Sequence, residues 1–170
     1  NHPDCKVVFI GPCISKKLEA LQEHVKDYVD FVITFEELMG MFVAKGIEPS
    51  EIEVEGKIEQ ASVTGRGYAV GGGVAHAVEA RIHEINPDQN VRIECAEGLA
   101  DCVKLIKLAK VGLKNGMLLE GMACNYGCIG GPGTVVTAAR ARKSVTDFSK
   151  ESPFPSPSDN KNITPEKMPK

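Results

Sequence analysis

Short apolar runs alternate with longer segments of helical spacing along most of the chain. The runs at 6–10, 30–33, 90–95 and 117–120 are brief, and several are rich in β-branched residues, which predicts strands. The segments between them carry apolar residues three and four positions apart, as amphipathic helices do. The alternation predicts an α/β fold, with a mixed or mostly parallel sheet of about four strands flanked by helices.

One helix has clear boundary signals. Thr34 followed by Glu37 has the pattern of a capping box, and Gly46 stands where a helix would end. We therefore predict a helix that begins after Thr34 and runs to about Lys45. The acidic stretch 48–60 that follows is predicted to be a surface connection.

A second helix is predicted at 98–111 from its apolar repeat. Leu99, Val103 and Ile106 recur at helical spacing, which predicts that this face packs inward while the lysines point outward. Further helices are expected at 15–21, 74–85 and 134–148.

A glycine-rich segment at 64–73 precedes the predicted helix at 74–85. Helix N-termini bind anions, so a phosphate cradle is one interpretation. However, the glycine spacing fits neither a dinucleotide-binding fingerprint nor a P-loop, and no clear strand comes before it. Nucleotide binding is therefore not favoured.

Composition limits the classes of function. The chain has 170 residues, of which 42% are hydrophobic and 25% charged, and a net charge of -3 gives no general reason to expect a nucleic-acid partner. No apolar run approaches the ~18 residues of a membrane helix, and no secretion leader is evident, so a cytoplasmic protein is expected. The start at Asn1 without an initiator Met suggests a piece of a longer protein. We expect one subdomain at 1–149 and a disordered tail or linker at 150–170.

The cysteines are the strongest candidates for chemistry. Cys124 and Cys128 are separated by three residues in a glycine-rich loop after the run at 117–120, and Cys13 follows the first predicted strand. If these two strands are parallel neighbours, the three thiols converge at one edge of one sheet. Three thiolates can hold three irons of a cubane cluster, and zinc would also accept them. The remaining cysteines are Cys5, with no assigned role, and Cys95 and Cys102, both predicted to lie in the core.

Two of these cysteine segments resemble motifs of the iron-only, or [FeFe], hydrogenases. Residues 11–19, with Cys13, Lys16 and Glu19, resemble the second motif, Met-Pro-Cys-x-x-Lys-x-x-Glu. Residues 122–131 resemble the third motif, Met-Ala-Cys-x-Gly-Gly-Cys-x-x-Gly-Gly, and Gly72-Gly73-Val74 resembles the family's Gly-Gly-Val before a helix. The correspondence runs in order from about Val7 to Gly133.

The resemblance implies an H-cluster, which is a [4Fe-4S] cubane joined through a cysteine to a two-iron centre with CO and CN ligands. Cys13 and Cys124 would bind the cubane, and Cys128 would bridge it to the two-iron centre. Lys16 would donate a hydrogen bond to a cyanide, Glu19 would fix the loop, and Met122 would pack against the two-iron centre. The implied reaction is reversible hydrogen oxidation and proton reduction, an oxidoreductase activity that depends on electron transfer.

Several positions depart from the family pattern. No segment matches the first motif, Thr-Ser-Cys-Cys-Pro-Gly-Trp, which supplies the fourth cubane ligand, and the chain has no Trp. Gly11 replaces a Met, Asn125-Tyr126 replaces a small residue and Gly, His76 stands where many members have Glu, and Pro132-Gly133 alters the end of the third motif. The fragment alone is therefore expected to be inactive and to hold no cofactor.

The resemblance also implies partners and leaves other roles open. The expected partners are the missing N-terminal part of the same domain and a ferredoxin-type electron carrier or fused iron–sulfur domains, with no nucleic acid and no membrane. One alternative is a sensory module that reports hydrogen or redox state. Another is an iron–sulfur cluster protein without hydrogenase activity.

Overall fold

The computed structural model describes residues 4–53, 56 and 61–160. Strands and helices alternate along this part of the chain, and none of its helices is long and apolar enough to cross a membrane. In chain order they are β1 (Val8–Gly11), α1 (Ser15–Glu19), β2 (Phe31–Thr34), α2 (Phe35–Lys45), α3 (Val63–Arg66), α4 (Gly73–Ile85), β3 (Arg92–Glu97), α5 (Leu99–Lys110), β4 (Met117–Met122) and α6 (Ala138–Lys150). Single 3₁₀ turns lie at Pro49–Glu51, Cys128–Gly130 and Pro157–Asp159.

The α/β class and the parallel pairing are confirmed, but the strands of the described residues are divided between two sheets. β1 pairs with β2 in parallel from Val8↔Phe31 to Gly11↔Thr34. β3 pairs with β4 in parallel from Arg92↔Met117 to Glu97↔Met122. The condition considered for the convergence of the three thiols, that β1 and β4 are neighbours in one sheet, is not met among the described strands. Within each sheet, the two strands are consecutive along the chain and are joined by a crossover that contains a helix.

The chain forms two compact units. The first unit comprises Asn1–Glu55 and Gly130–Thr137, and the second comprises Gly56–Ile129 and Ala138–Lys170. The first unit therefore holds Cys13 and the β1–β2 pair, while the second holds Cys124, Cys128 and the β3–β4 pair.

The helix predicted in the first unit is confirmed, including both of its ends. The Glu37 N–H donates to the Thr34 hydroxyl at 3.2 Å, and the Thr34 N–H donates to the Glu37 carboxylate at 2.8 Å, which completes the capping box. Lys17 Nζ also contacts both Glu37 oxygens at 2.8 Å and so joins α1 to the start of α2. Gly46 ends the helix with a φ of 64°, a left-handed conformation that suits glycine.

In the second unit, the predicted inward face of α5 is wrong. Leu99 and Ile106 are 69% and 66% exposed, whereas Leu105 is only 6% exposed. Cys102, which precedes Leu105 by three positions, directs its thiol toward backbone carbonyls of the sheet strands. The helix carries two apolar stripes, and the sheet packs against the one that contains Leu105. Buried apolar residues among those described are Ala75, Ala77, Ala96, Leu105 and Ile129.

Residues 151–160, the described part of the predicted tail, form hydrogen bonds with residues at the start of α3. The Val63 N–H donates to the Phe154 carbonyl at 2.8 Å, and the Ser152 hydroxyl donates to the Ala61 carbonyl at 2.6 Å. These bonds hold the segment against the start of α3. Sequence composition does not show them because they join residues about ninety positions apart. Residues 161–170, and residues 54, 55 and 57–60 of the predicted connection at 48–60, lie outside the described residues.

Candidate functional site

Two cysteines lie on one tight turn that follows β4. The Gly127 N–H donates to the Cys124 carbonyl at 3.1 Å, and Cys128 begins the next 3₁₀ turn. The turn contains two successive left-handed residues, Tyr126 with a φ of 69° and Gly127 with a φ of 74°. Cys124 is half-buried and Cys128 is exposed. The turn thus presents two thiols on adjoining parts of one loop.

Backbone contacts fix this turn against the glycine-rich segment before α4. The Gly71 N–H donates to the Tyr126 carbonyl, and the Ile129 N–H donates to the Ala69 carbonyl, both at 3.2 Å. Gly127 also forms a β-bridge with Val70. A Cβ on Gly127 would lie 2.5 Å from the Gly71 nitrogen, so no larger residue fits at this position. The glycine is needed for both its conformation and its close approach.

A buried carboxylate occupies the N-terminus of α4. Glu120 is 9% exposed; its Oε1 accepts from the Gly72 N–H, and its Oε2 accepts from the Ala75 N–H, both at 2.6 Å. The glycine-rich segment therefore does bind an anion at a helix N-terminus, but the anion is a side chain of the same unit. This contact provides a physical reason for the glycines that does not involve a nucleotide.

A second carboxylate contacts the turn directly. Glu97 Oε2 accepts from the Tyr126 N–H at 2.7 Å, and a Cβ on Gly71 would lie 2.0 Å from Glu97 Oε1. Glu97 and Glu120 come from the ends of neighbouring parallel strands, where Cys95 is opposite Glu120. The sequence analysis missed both carboxylates. The available signal was an acidic residue near the end of each of two strands, together with a glycine-rich helix start.

The two cysteines predicted to lie in the core have different environments. Cys102 is half-buried, and its thiol donates to the Met122 carbonyl at 3.4 Å. Cys95 is exposed, so the prediction of a core position for it is wrong. Partial burial of its thiol, followed by the charges of Glu120 and Glu97, nevertheless raises the pKa of Cys95. Neither cysteine forms a disulfide.

In the first unit, the loop of Cys13 lies against glycines from the end of the predicted third motif. Cys13 is half-buried directly after β1 and Pro12. The Gly133 N–H donates to the Pro12 carbonyl at 2.9 Å, and a Cβ on Gly133 would lie 2.6 Å from the Thr34 Cβ. Gly133 follows Cys128 by five positions in the sequence, so this motif contributes residues to both units.

Lys16 and Glu19 form an ion pair with each other at the start and end of α1. Both side chains are partly exposed, and together with apolar residues such as Phe9, Val25 and Val32 they line a groove of about 150 Å³. Glu19 thus restrains the ammonium group of Lys16. In the second unit, Met122 is half-buried at the end of β4, where its carbonyl accepts from the Gly98 N–H at 2.8 Å.

The donor chemistry of the cysteine turn fits an iron–sulfur centre. Thiolates are the ligands of such clusters, and the turn offers two of them close to solvent, with backbone held by other parts of the unit. Within the described residues, no group of three or more His, Cys, Asp or Glu side chains is arranged to hold a single metal ion. The two thiols of the turn are therefore candidate ligands of an iron–sulfur cluster, to which other residues would also contribute.

Comparison with known proteins gives the family. The model of the iron only hydrogenase large subunit, C-terminal domain, matches residues 1–132, and the chain belongs to this family.

Solved structures share the fold at low sequence identity. One is the structure of HydA(ΔEFG) described as revealing stepwise [FeFe]-hydrogenase H-cluster assembly. It has a TM-score of 0.60 and 20% identity, over 90% of this chain and 54% of that chain. Another is from work on [FeFe]-hydrogenase oxygen inactivation through the H-cluster 2Fe subcluster. It has a TM-score of 0.65 and 20% identity, over 94% of this chain and 56% of that chain. The chain thus spans a little over half the length of these structures.

Proposed function

We propose that the chain is part of the catalytic domain of an iron-only hydrogenase and supplies three cysteine ligands to an H-cluster. Cys13 and Cys124 bind the [4Fe-4S] cubane, and Cys128 bridges it to the two-iron subsite. The observation that carries this proposal is the cysteine turn, because Cys124 and Cys128 lie on a backbone held in place by Ala69 and Gly71. Family membership supports the nature of the cofactor.

When bound, the H-cluster supplies the redox chemistry that interconverts dihydrogen with two protons and two electrons. The residues of the chain hold and surround it. Lys16 offers an ammonium group, a compact donor suited to an anionic cyanide, and Glu19 restrains that group through their ion pair. Met122 contributes an apolar side chain beside the two-iron subsite. The protein's task in this proposal is to hold the cofactor and to control its hydrogen bonding.

The proposal includes a partner, which is the N-terminal part of the same domain. Val8 and Phe9 are adjacent in β1 and so point to opposite faces of the sheet, yet they are 43% and 39% exposed. Parallel sheets are normally covered on both faces. The chain also spans a little over half of the solved structures that it matches. The N-terminal part would cover β1 and β2 and supply the fourth cubane ligand, so the chain alone would be inactive.

The complete protein would exchange electrons with a ferredoxin-type carrier or with fused iron–sulfur domains. The proposed location is the cytoplasm.

One observation favours a sensory role as a second candidate. Gly11 stands where the second motif has a Met, and a Cβ on Gly11 would lie 2.9 Å from the Phe9 ring. The ring therefore occupies space that a side chain at this position would need. Loss of the Met contact would slow turnover, and slow turnover suits a protein that reports hydrogen or redox state.

Anaerobic reconstitution tests the ligand assignment. The chain is treated with ferrous iron, sulfide and a small thiol that stands in for the fourth ligand, and bound iron and sulfide are measured with the electron paramagnetic resonance of the reduced protein. We expect equal amounts of iron and sulfide, and near-complete loss in Cys13→Ser, Cys124→Ser and Cys128→Ser. Cys5→Ser, the matched control, should retain the cluster.

The anaerobically reconstituted chain and the complete, matured protein together distinguish the proposal from its alternatives. Zinc bound in place of iron, or a cluster that survives all three substitutions, would overturn the proposal. Hydrogen evolution by the complete, matured protein separates turnover from the other roles. Infrared bands of CO and CN without appreciable turnover would favour the sensor, and a cubane without those bands would favour a cluster protein that lacks hydrogenase activity.

A further inference from the structure

The carboxylate of Glu120 lies in a buried position where both of its oxygens are hydrogen-bonded. Its two oxygens accept from two separate backbone amides, Gly72 and Ala75, at 2.6 Å each, while the residue is 9% exposed. Gly72 is the N-cap of α4 and Ala75 lies in its first turn, where the helix dipole favours a negative charge. Hydrogen bonds to an ionised acceptor are stronger than those between neutral groups. The contact is therefore a strong tether between β4 and α4.

Both ends of this contact, Glu120 on β4 and Gly72 before α4, are connected to the cysteine turn. Glu120 lies on β4, four residues before Cys124. On the other side, Gly72 follows Gly71, whose N–H donates to the Tyr126 carbonyl inside the turn. Glu120 thus closes a ring that runs from β4 through the glycine-rich segment to the turn and back along the chain to β4.

Glu97 provides a second side-chain contact that holds the turn. Its carboxylate accepts the Tyr126 N–H at 2.7 Å, so both backbone polar groups of Tyr126 are bonded within the second unit. The turn also receives backbone hydrogen bonds from the segment before α4. Its geometry depends on groups supplied by β3, β4 and the segment before α4.

The geometry points to Glu120 as a positioning residue that fixes the thiols of Cys124 and Cys128 for the cluster, with Glu97 as its second support. This inference rests on the proposed function for the identity of the ligand, but the ring itself consists of described contacts. Glu120 does not contact the reacting atoms; it acts through the backbone of the turn. A glutamine has one acceptor and a donating amide, so it cannot satisfy both N–H groups.

The reactivity of the individual thiols tests the role without any cofactor. The reduced chain is treated with limiting iodoacetamide, and mass spectrometry gives the alkylation rate of each cysteine. In Glu120→Gln we expect the rate at the half-buried Cys124 to rise about tenfold, because a charge-assisted bond that closes the ring is lost and the turn opens more often. Cys5 and Cys13, in the other unit, should keep their rates.

Glu94→Gln is the matched control, since Glu94 lies on β3, the strand that pairs with β4, and its carboxylate pairs with Lys114 rather than with the turn. This variant should leave the alkylation rates of Cys5, Cys13, Cys124 and Cys128 unchanged. Glu120→Asp keeps the charge but is one methylene shorter, so it should give intermediate rates and serves if the glutamine variant does not fold. An unchanged rate at Cys124, or an equal rise at Cys5, Cys13, Cys124 and Cys128, would overturn the positioning role.

A second measurement separates this inference from the proposed function. Cluster reconstitution of Glu120→Gln should yield less iron per chain than the parent chain and Glu94→Gln. If no variant takes up iron and sulfide, the proposed function fails while the alkylation rates still decide whether Glu120 positions the turn. If Glu120→Gln binds a cluster as fully as the parent chain and its thiols react at the parent rates, the inference fails alone.

Discussion

The N–H of Tyr126 donates to the carboxylate of Glu97 at 2.7 Å, while the backbone of Tyr126 is left-handed with a φ of 69°. Among the described residues, Tyr126 is the one residue other than glycine with a positive φ. The family motif that this segment resembles has a glycine at the same place. The bond to Glu97 therefore helps to hold a conformation that tyrosine adopts at a cost of about 1–2 kcal/mol.

Tyr126→Gly should raise the free energy of unfolding by about 1 kcal/mol, because glycine adopts this conformation without a steric penalty. Urea unfolding followed by circular dichroism measures the change. Tyr68→Gly is the control, since Tyr68 is exposed in the same unit and has no positive φ. It should lower the free energy of unfolding. A loss of stability in both variants would show that the left-handed backbone is not costly here.

Substitutions on the two faces of α5 should differ sharply. Leu105→Ala removes a side chain that is 6% exposed and should cost about 2–5 kcal/mol through lost burial and a cavity. Ile106→Ala, one position along the helix, should change the free energy of unfolding by less than about 0.5 kcal/mol because Ile106 is 66% exposed. Chemical denaturation of the two variants is the measurement. Similar losses in both would mean that the exposed stripe is covered in solution.

The docking of residues 151–160 should weaken in acid. The Ser156 hydroxyl, and then Arg81 and Ser158, lower the pKa of Glu84 to about 2 from 4.5. Because the folded pKa is depressed, the contribution of Glu84 is fully present above about pH 4.5 and is lost as the pH falls through about 2. NMR amide signals of Phe154 and Ser158 should shift toward disordered values over that range. Glu84→Gln should remove this pH dependence, and an unchanged profile would exclude Glu84 as its source.

The thiol of Cys95 should react slowly near neutral pH. Partial burial, then the charges of Glu120 and Glu97, raise its pKa, so less thiolate is present than in an unstructured cysteine peptide at the same pH. The pH profile of its alkylation should lie at higher pH than that of the peptide. Glu97→Gln removes one negative charge and should move the profile back toward the peptide. A profile that coincides with the peptide's in the parent chain would contradict the raised pKa.

Local signals predicted the local elements well. The Thr34–Glu37 capping box and Gly46 predicted α2 because both ends of a helix depend on residues only a few positions away. The loop cysteines after β1 and β4 were also predicted to follow strands, and each does so. These features are encoded by neighbouring residues, so a single sequence is sufficient to show them.

Features that depend on contacts between residues far apart in the sequence could not be predicted in the same way. Helix α5 has two apolar stripes, and which one is buried depends on the sheet it packs against. The pairing of β1 with β2 rather than with β4 likewise depends on the tertiary fold. The sequence predicts Glu120 only as the last residue of a strand. Its hydrogen bonds go to amides 45 and 48 positions away, so no pattern in the neighbouring residues indicates them.

The chain passes three times between its two units, because Gly130–Thr137 belongs with the first unit while the residues before and after it belong with the second. A genetic crossover at the 55/56 boundary would transfer all of the second unit, but it would also carry this glycine-containing segment away from the unit that uses it. Neither unit can therefore be exchanged with a homologue through one crossover. We expect that chimeras will require at least the segment 130–137 to come from the same parent as residues 1–55.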